Sequence, residues 1–373
     1  MKISHVRTLF PVLEKRAYMF SGGIAPASTP MLNAIEQFNG HVTNNPAGLY
    51  KHSRDDFIKA RSTYANLIGA NDDEIAITDS TGTGSNLSVE MIDLTPGGNV
   101  VFDEHSYPSA VYPWMLPPRQ HIERRFVKAR DGIVHLEDMA EAIDDNTIAV
   151  SISHVSQTTG FRHNLNAIAS LAHDHNALLL VDAMQSVGAV EIDVHEMDVD
   201  FLSTGAMKYL LGTAGVGFLY VAKRHLSRMP PHAGGPGALS RHKLEFLPKP
   251  GAERFQIGMP NLIGLAATIP GLTMLTQVGT NRVEEHILNL TGYCIEELKK
   301  RGQIVLTPVK AEQRAGIVAI ELQKAAELDS FLTERGVDGY HFGKRFRVDP
   351  HVFNNRDDID RFLQGLDLFL KQR

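Results

Sequence analysis

A single cysteine, Cys294, occurs in the 373-residue chain. No internal disulfide can form, and a reducing compartment is expected. No run approaches the ~18 apolar residues that cross a membrane. Residues 1–15 lack the apolar core and small-residue cleavage pattern of a leader, so a cytoplasmic protein with no membrane partner is expected. Basic excess is also missing. Lys and Arg total 37 against 43 Asp and Glu, a formal charge of -6, with no basic stripe, which argues against nucleic acid. The 17 histidines are scattered without metal-ligand spacing, so no metal is expected. Neither an internal repeat nor a low-complexity tract occurs.

What is present is globular. Hydrophobic residues make up 43% and charged residues 21%, which excludes a disordered chain. The length suggests about two domains. Short apolar runs lie at 74–78, 99–102, 122–127, 147–153, 177–182, 200–203 and 216–221, several separated by helix-period segments. That alternation predicts an α/β fold with a mostly parallel sheet, its strands buried on both faces. Residues 229–264 break the rhythm with clustered Pro and Gly, including Pro230, Pro231, Gly234 and Gly235, and read as a long irregular connection. Helices near 282–301, 325–335 and 357–371, with a strand near 317–322, predict a small α+β C-terminal domain.

Three segments carry chemistry. The strand at 178–182 ends in Asp182, and ligands of parallel sheets sit beyond the carboxyl ends of strands. An Asp there also serves as a helix N-cap. Lys208 follows Ser203, Thr204, Gly205 and Met207 in an apolar, glycine-rich stretch. Desolvation there lowers an amine's pKa, and a neutral amine attacks aldehydes. A surface lysine lying over apolar neighbours is the alternative. At Ser80-Thr81-Gly82-Thr83-Gly84 a strand runs into small hydroxyl residues and a helix, which suits a phosphate. The third glycine of a dinucleotide fingerprint and a Walker lysine are both missing.

Together with 153–160, Gly258-Met259-Pro260-Asn261 and Arg347-Val348-Asp349-Pro350-His351, these segments resemble the class V aminotransferases, which are fold-type I enzymes of pyridoxal 5′-phosphate (PLP). The resemblance implies an N-terminal segment 1–20 packed with the small domain, a large PLP-binding domain 21–255 and a small domain 256–373. It implies Lys208 as Schiff-base lysine and Asp182 as partner of the pyridine nitrogen. Gln157 and Gln185 would neighbour the ring hydroxyl. Thr81, Gly82 and Thr83 would hold the phosphate, with Ser203 adding a hydroxyl. Tyr107, or less readily His105, would stack on the ring. Arg347 would hold the substrate α-carboxylate, with Arg345 as a rival two positions away on the same strand face. A homodimer acting on a small amino acid is implied as well.

The pattern also departs from the family. Gly205 and Met207 replace the Ser and His that desulfurases carry around their lysine, and Met259 replaces a phosphate-binding Thr. Asp349 stands where the family's Arg-x-Ser pattern has serine. No cysteine lies in the C-terminal region where a desulfurase keeps its persulfide-forming nucleophile, and Cys294 falls in a helical stretch. The expected reaction is transamination. A carbon–sulfur β-lyase, then an epimerase, then a catalytically silent binding protein are the alternatives. Candidate substrate loops are residues 21–26, 44–50 and 228–242, with Arg241, His232 and His242 as polar recognition groups.

Overall fold

The computed structural model describes residues 1–372 apart from 93, 95, 96, 118, 232, 233, 243 and 244. Among these residues the strands form four sheets. In chain order they are β1 (Ala17–Tyr18), β2 (Ile75–Thr78), β3 (Asn99–Asp103), β4 (Glu123–Val127), β5 (Thr147–Ser153), β6 (Leu178–Asp182), β7 (Phe201–Gly205), β8 (Gly217–Val221), β9 (Leu239–His242), β10 (Glu245–Pro248), β11 (Ile304–Val305), β12 (Val318–Glu321), β13 (Val337–Asp338), β14 (Tyr340–Phe342) and β15 (Arg345–Val348).

The seven apolar runs become one sheet, ordered β2-β8-β7-β6-β5-β3-β4. Strands β3 to β7 pair in parallel, whereas β8 runs antiparallel to β7 and β2. Successive side chains of a strand point to opposite faces, and here they enter different cores. Val101, Leu179, Leu202 and Phe218 join the core that includes helix Leu165–Asp174. Val100, Leu180, Phe201 and Leu219 join the one beneath helix Thr81–Glu90. Covering both faces explains the unbroken apolar runs.

A third core gathers Leu290, Cys294, Val318, Phe346 and Phe362. It lies between helices Thr280–Lys300, Ala325–Glu334 and Arg356–Lys371 and the antiparallel sheet β11-β12-β15-β14. Ala17 and Met19 enter the same core, because β1 pairs in parallel with β13.

Two stretches differ from expectation. Residues 229–264 are not wholly irregular. They contain the β9/β10 hairpin, in which Leu239 pairs with Pro248. The hairpin is a separate two-stranded sheet, where a proline at a strand end costs no shared ladder bond. Residues 44–50 are not a loop but the junction of helices Thr29–Asn44 and Pro46–Leu67. Asn45 caps the second helix through Gly48 N–H, at 3.1 Å, and Pro46 takes its first turn. Helix Leu262–Val278 escaped the periodicity reading. It packs against both of those helices and is apolar on all sides, so no stripe marks it. His232 lies outside the described residues, as do the side chains of Arg241 and His242.

Asp200, just before β7, fastens the opposite edge of the sheet. It is 1% exposed. It accepts from Leu179 N–H (2.8 Å), His173 (2.9 Å), His225 (2.5 Å) and Arg224 (2.6 Å). Those donors hold its carboxyl well below the usual range, despite the opposing effect of burial. Asp200→Asn should cost about 3 kcal/mol in a urea titration at pH 7. Because the folded pKa is depressed, wild type holds this increment above pH ~4 and loses it as pH falls through the folded value. The gap between the two proteins should therefore close in acid.

Candidate active site

Strands β2, β3, β5, β6 and β7 leave the sheet at one edge, and the chain that follows each supplies one part of a cleft. β6 ends in Asp182, which is buried. Its Oδ1 accepts from Met184 N–H at 2.9 Å, and its Oδ2 accepts from the Ser109 hydroxyl. Burial raises the Asp182 pKa, and the two donors with the nearby Lys208 charge oppose that rise. Lys208 follows β7. Burial pushes its amine down to about 8, helped by the Arg347 charge and opposed by Asp182 and Asp349. A narrow crevice brings together Tyr107, Ser153, Gln157, Asp182, Gln185 and Lys208.

A wider opening of about 220 Å³ shares Tyr107 and Gln157 with that crevice and adds Tyr340, Phe342, Arg345 and Arg347. Both arginines thus face one side of β15, as a strand spacing of two requires. They differ in depth: Arg347 is buried and Arg345 exposed. Arg347 donates through Nη1 to Gln157 O and lies 3.2 Å through Nη2 from Asp349. His351 ties this strand to the lysine loop. Its Nε2 donates to Tyr209 O at 2.9 Å, while Nδ1 accepts from Val352 N–H. Burial lowers its pKa to about 4, so the ring is neutral.

At the end of β2, Ser80 caps helix Thr81–Glu90 by accepting from Thr83 N–H at 3.1 Å. The first-turn amides of Thr81 and Gly82 have no intrahelical partner by position, the arrangement that suits an anion. The Thr83 hydroxyl donates to Asp79, so this turn carries a carboxylate at its rim. Ser203 sits elsewhere. Its Oγ lies 2.7 Å from where a Gly84 Cβ would be, which places it under the helix rather than at its tip. Tyr107 is 43% exposed at the cleft mouth, with its N–H donated to Ser153 Oγ at 2.9 Å. The His105 ring is turned away, with Nε2 3.1 Å from Gly132 O and Phe161 beside it. Of the proposed substrate loops, 21–26 reaches the cleft: Gln185 Nε2 donates to Gly22 O at 3.0 Å.

Four residues around the site were given no role in the sequence. Ser109 holds Asp182, but a serine in a Pro-Ser-Ala turn carries no distinguishing signal. Met184 and Gly205 act as a pair. The Met184 sulfur accepts from Gly205 N–H and Thr81 Oγ, each at 3.2 Å, and lies 3.1 Å from an added Gly205 Cβ. The missing serine at 205 is therefore the space that Met184 occupies. Asp349 lay within the 347–351 stretch without an assigned role.

The family model of class V aminotransferases matches residues 17–343. The chain belongs to the class V aminotransferase family. Among curated relatives, an uncharacterized aminotransferase, YcbU of Bacillus subtilis (strain 168), is 27% identical over 95% of this chain and 94% of its own. A cysteine desulfurase of Salmonella typhimurium is 28% identical over 98% and 97%. Solved structures share the fold. A cysteine desulfurase from Thermococcus onnurineus NA1 superposes with a TM-score of 0.90 at 22% identity, covering 100% of this chain and 99% of its own. The cystine C-S lyase C-DES superposes at 0.88 and 21%, covering 96% and 98%. This class V protein is a fold-type I, PLP-dependent enzyme. Its cleft fits that cofactor: the buried Gln185 Oε1 has no hydrogen-bond partner, and a desolvated amine and a buried carboxylate line the same cavity.

Two outcomes follow. Ser109→Ala removes one donor from Asp182 and should loosen PLP about five- to tenfold, read as the free concentration that half-saturates cofactor absorbance. Capture of PLP by cofactor-stripped protein needs the neutral amine of Lys208. Its rate should rise about tenfold per pH unit up to pH ~8 and level off above.

Proposed function

We propose that this class V enzyme transfers the amino group of a small α-amino acid to a keto acid, with Lys208 as the proton carrier. The observation that carries the reading is the desolvated Lys208 amine, which shares a cavity with the doubly held carboxylate of Asp182. Bound PLP supplies an aldehyde for the substrate amine and a ring that acidifies the neighbouring Cα–H. In the proposed roles, Asp182 keeps the proton on the ring nitrogen, while Gln157 and Gln185 face the ring hydroxyl. Thr81, Gly82 and Thr83 seat the phosphate, and Tyr107 covers the ring face. Arg347 holds the α-carboxylate. Lys208 would be the group that takes the Cα proton and returns it across the substrate nitrogen.

Transamination asks for no further catalytic group, which is why it is favoured over β-elimination and epimerisation. Persulfide formation asks for a thiol in the cleft. The one cysteine, Cys294, is wholly buried in the third core, where burial drives its pKa up. The proposed assembly is a homodimer that covers the exposed Leu247 and Met259.

A panel of amino acids tests the reaction type. Amino transfer to an added keto acid is the expected result. Pyruvate and ammonia without any acceptor would replace it by β-elimination, and loss of optical activity alone by epimerisation. Lys208→Ala should lower turnover by about 10²–10⁴-fold and remove the cofactor's visible absorbance band.

A further inference from the structure

Asp349, buried beside Arg347 behind the cleft, is a charged residue that the proposed roles leave unused. It is 0% exposed; neither carboxylate oxygen makes a well-formed hydrogen bond, and the Gly22 backbone N–H beside it pulls its pKa down. A Cβ on Gly22 would lie 2.5 Å from Asp349 Oδ2 and 3.1 Å from Gln185 Oε1. Glycine at 22 is thus what lets this carboxylate and the Gln185 amide stand where they do. Arg347 Nη2 is 3.2 Å away, so the carboxylate cancels the charge of the arginine proposed to hold the substrate. The charged and titratable groups around Asp349 are Arg347 on β15, Lys208 and Tyr209 after β7, and Tyr18 on β1. Burial raises the pKa of both phenols, which leaves them neutral.

A substrate carboxylate seated on Arg347 would press a second anion against Asp349. Two carboxylates sharing one buried site do not both stay ionised, and one takes up a proton. With serine at this position, as in the family pattern, the arginine charge would be free and no proton would be needed. We propose that Asp349 is a specificity-determining residue, which admits a carboxylate to Arg347 only together with one proton, shared between the two carboxyl groups. The inference rests on the reading of Arg347 as the carboxylate holder. It is supported by a carboxyl pKa that burial lifts to about 6 against the pull of Arg347 and Lys208. The acid is therefore ionised at neutral pH and within reach of protonation.

Propionate, a carboxylate without an amine, is the probe, titrated into the PLP-loaded enzyme in a calorimeter. At pH 7.5, in two buffers of different ionisation heat, wild type should take up close to one proton per propionate bound. Its affinity should fall about tenfold per unit as pH rises from 6.5 to 8. Asp349→Asn and Asp349→Ser should take up none, bind with little pH dependence, and bind at least tenfold more tightly than wild type at pH 8. PH-independent wild-type binding without proton uptake would overturn the proposal, as would variants that bind no more tightly. Arg347→Lys separates the two readings. Unchanged propionate affinity there would remove Arg347 from the site, and the Asp349 proposal with it. Lost affinity there, with no proton uptake in wild type, would sink only the role of Asp349.

Discussion

An amine and a carboxylate are forced out of water at the same edge of a buried sheet, and the rest of the site is arranged around that constraint. Burial acts on them in opposite senses, pushing Lys208 toward the neutral amine and Asp182 toward the neutral acid. Burial by itself thus works against both charges. Ser109 and Met184 N–H counter this at Asp182 by donating to both oxygens, and Lys208 adds its own field. The amine that remains is a usable nucleophile near neutral pH, and the acid is oriented toward the cleft.

The sheet alone does not complete the site. Arg347 belongs to a different sheet and packs over a different core, yet its Nη1 donates to Gln157 O on the loop after β5. His351 reaches back to Tyr209 O beside the lysine, and Asn354 Nδ2 donates to Tyr18 O at 2.9 Å. The His351 contact ties the chain after β15 to the lysine loop, and the Asn354 contact ties it to β1. A neutral His351, with one nitrogen donating and the other accepting, is the protonation state that satisfies both. The paired charges Arg347 and Asp349 then set what the inner end of the cleft will accept.

Much of this was legible in the sequence, because both-face burial writes itself as apolar runs; all seven runs became strands of one sheet, although the edge strand β4, Glu123–Val127, is largely polar and exposed. Asp182, Lys208 and the Ser80–Thr83 turn were legible for a related reason, since each lies directly after such a run. Helix Leu262–Val278 was not, because an element apolar all round has no period to detect. The hairpin at 239–248 was hidden by the Pro and Gly beside it. Ser109 and the Met184–Gly205 pair depend on contacts between segments about 70 and 20 positions apart, which composition and spacing do not encode. Arg345 and Arg347 could not be separated by spacing, because strand geometry puts both on one face, and only depth distinguishes them.

The central claim is that PLP is carried by the amine of Lys208. Borohydride reduction fixes the cofactor to whichever amine carries it, and peptide mass mapping then reads the position. The account predicts the reduced pyridoxyl mass on the peptide that contains Lys208 and on no other lysine. The same mass on a different lysine, or an unmodified Lys208 peptide from protein that still shows the cofactor's colour, would contradict it.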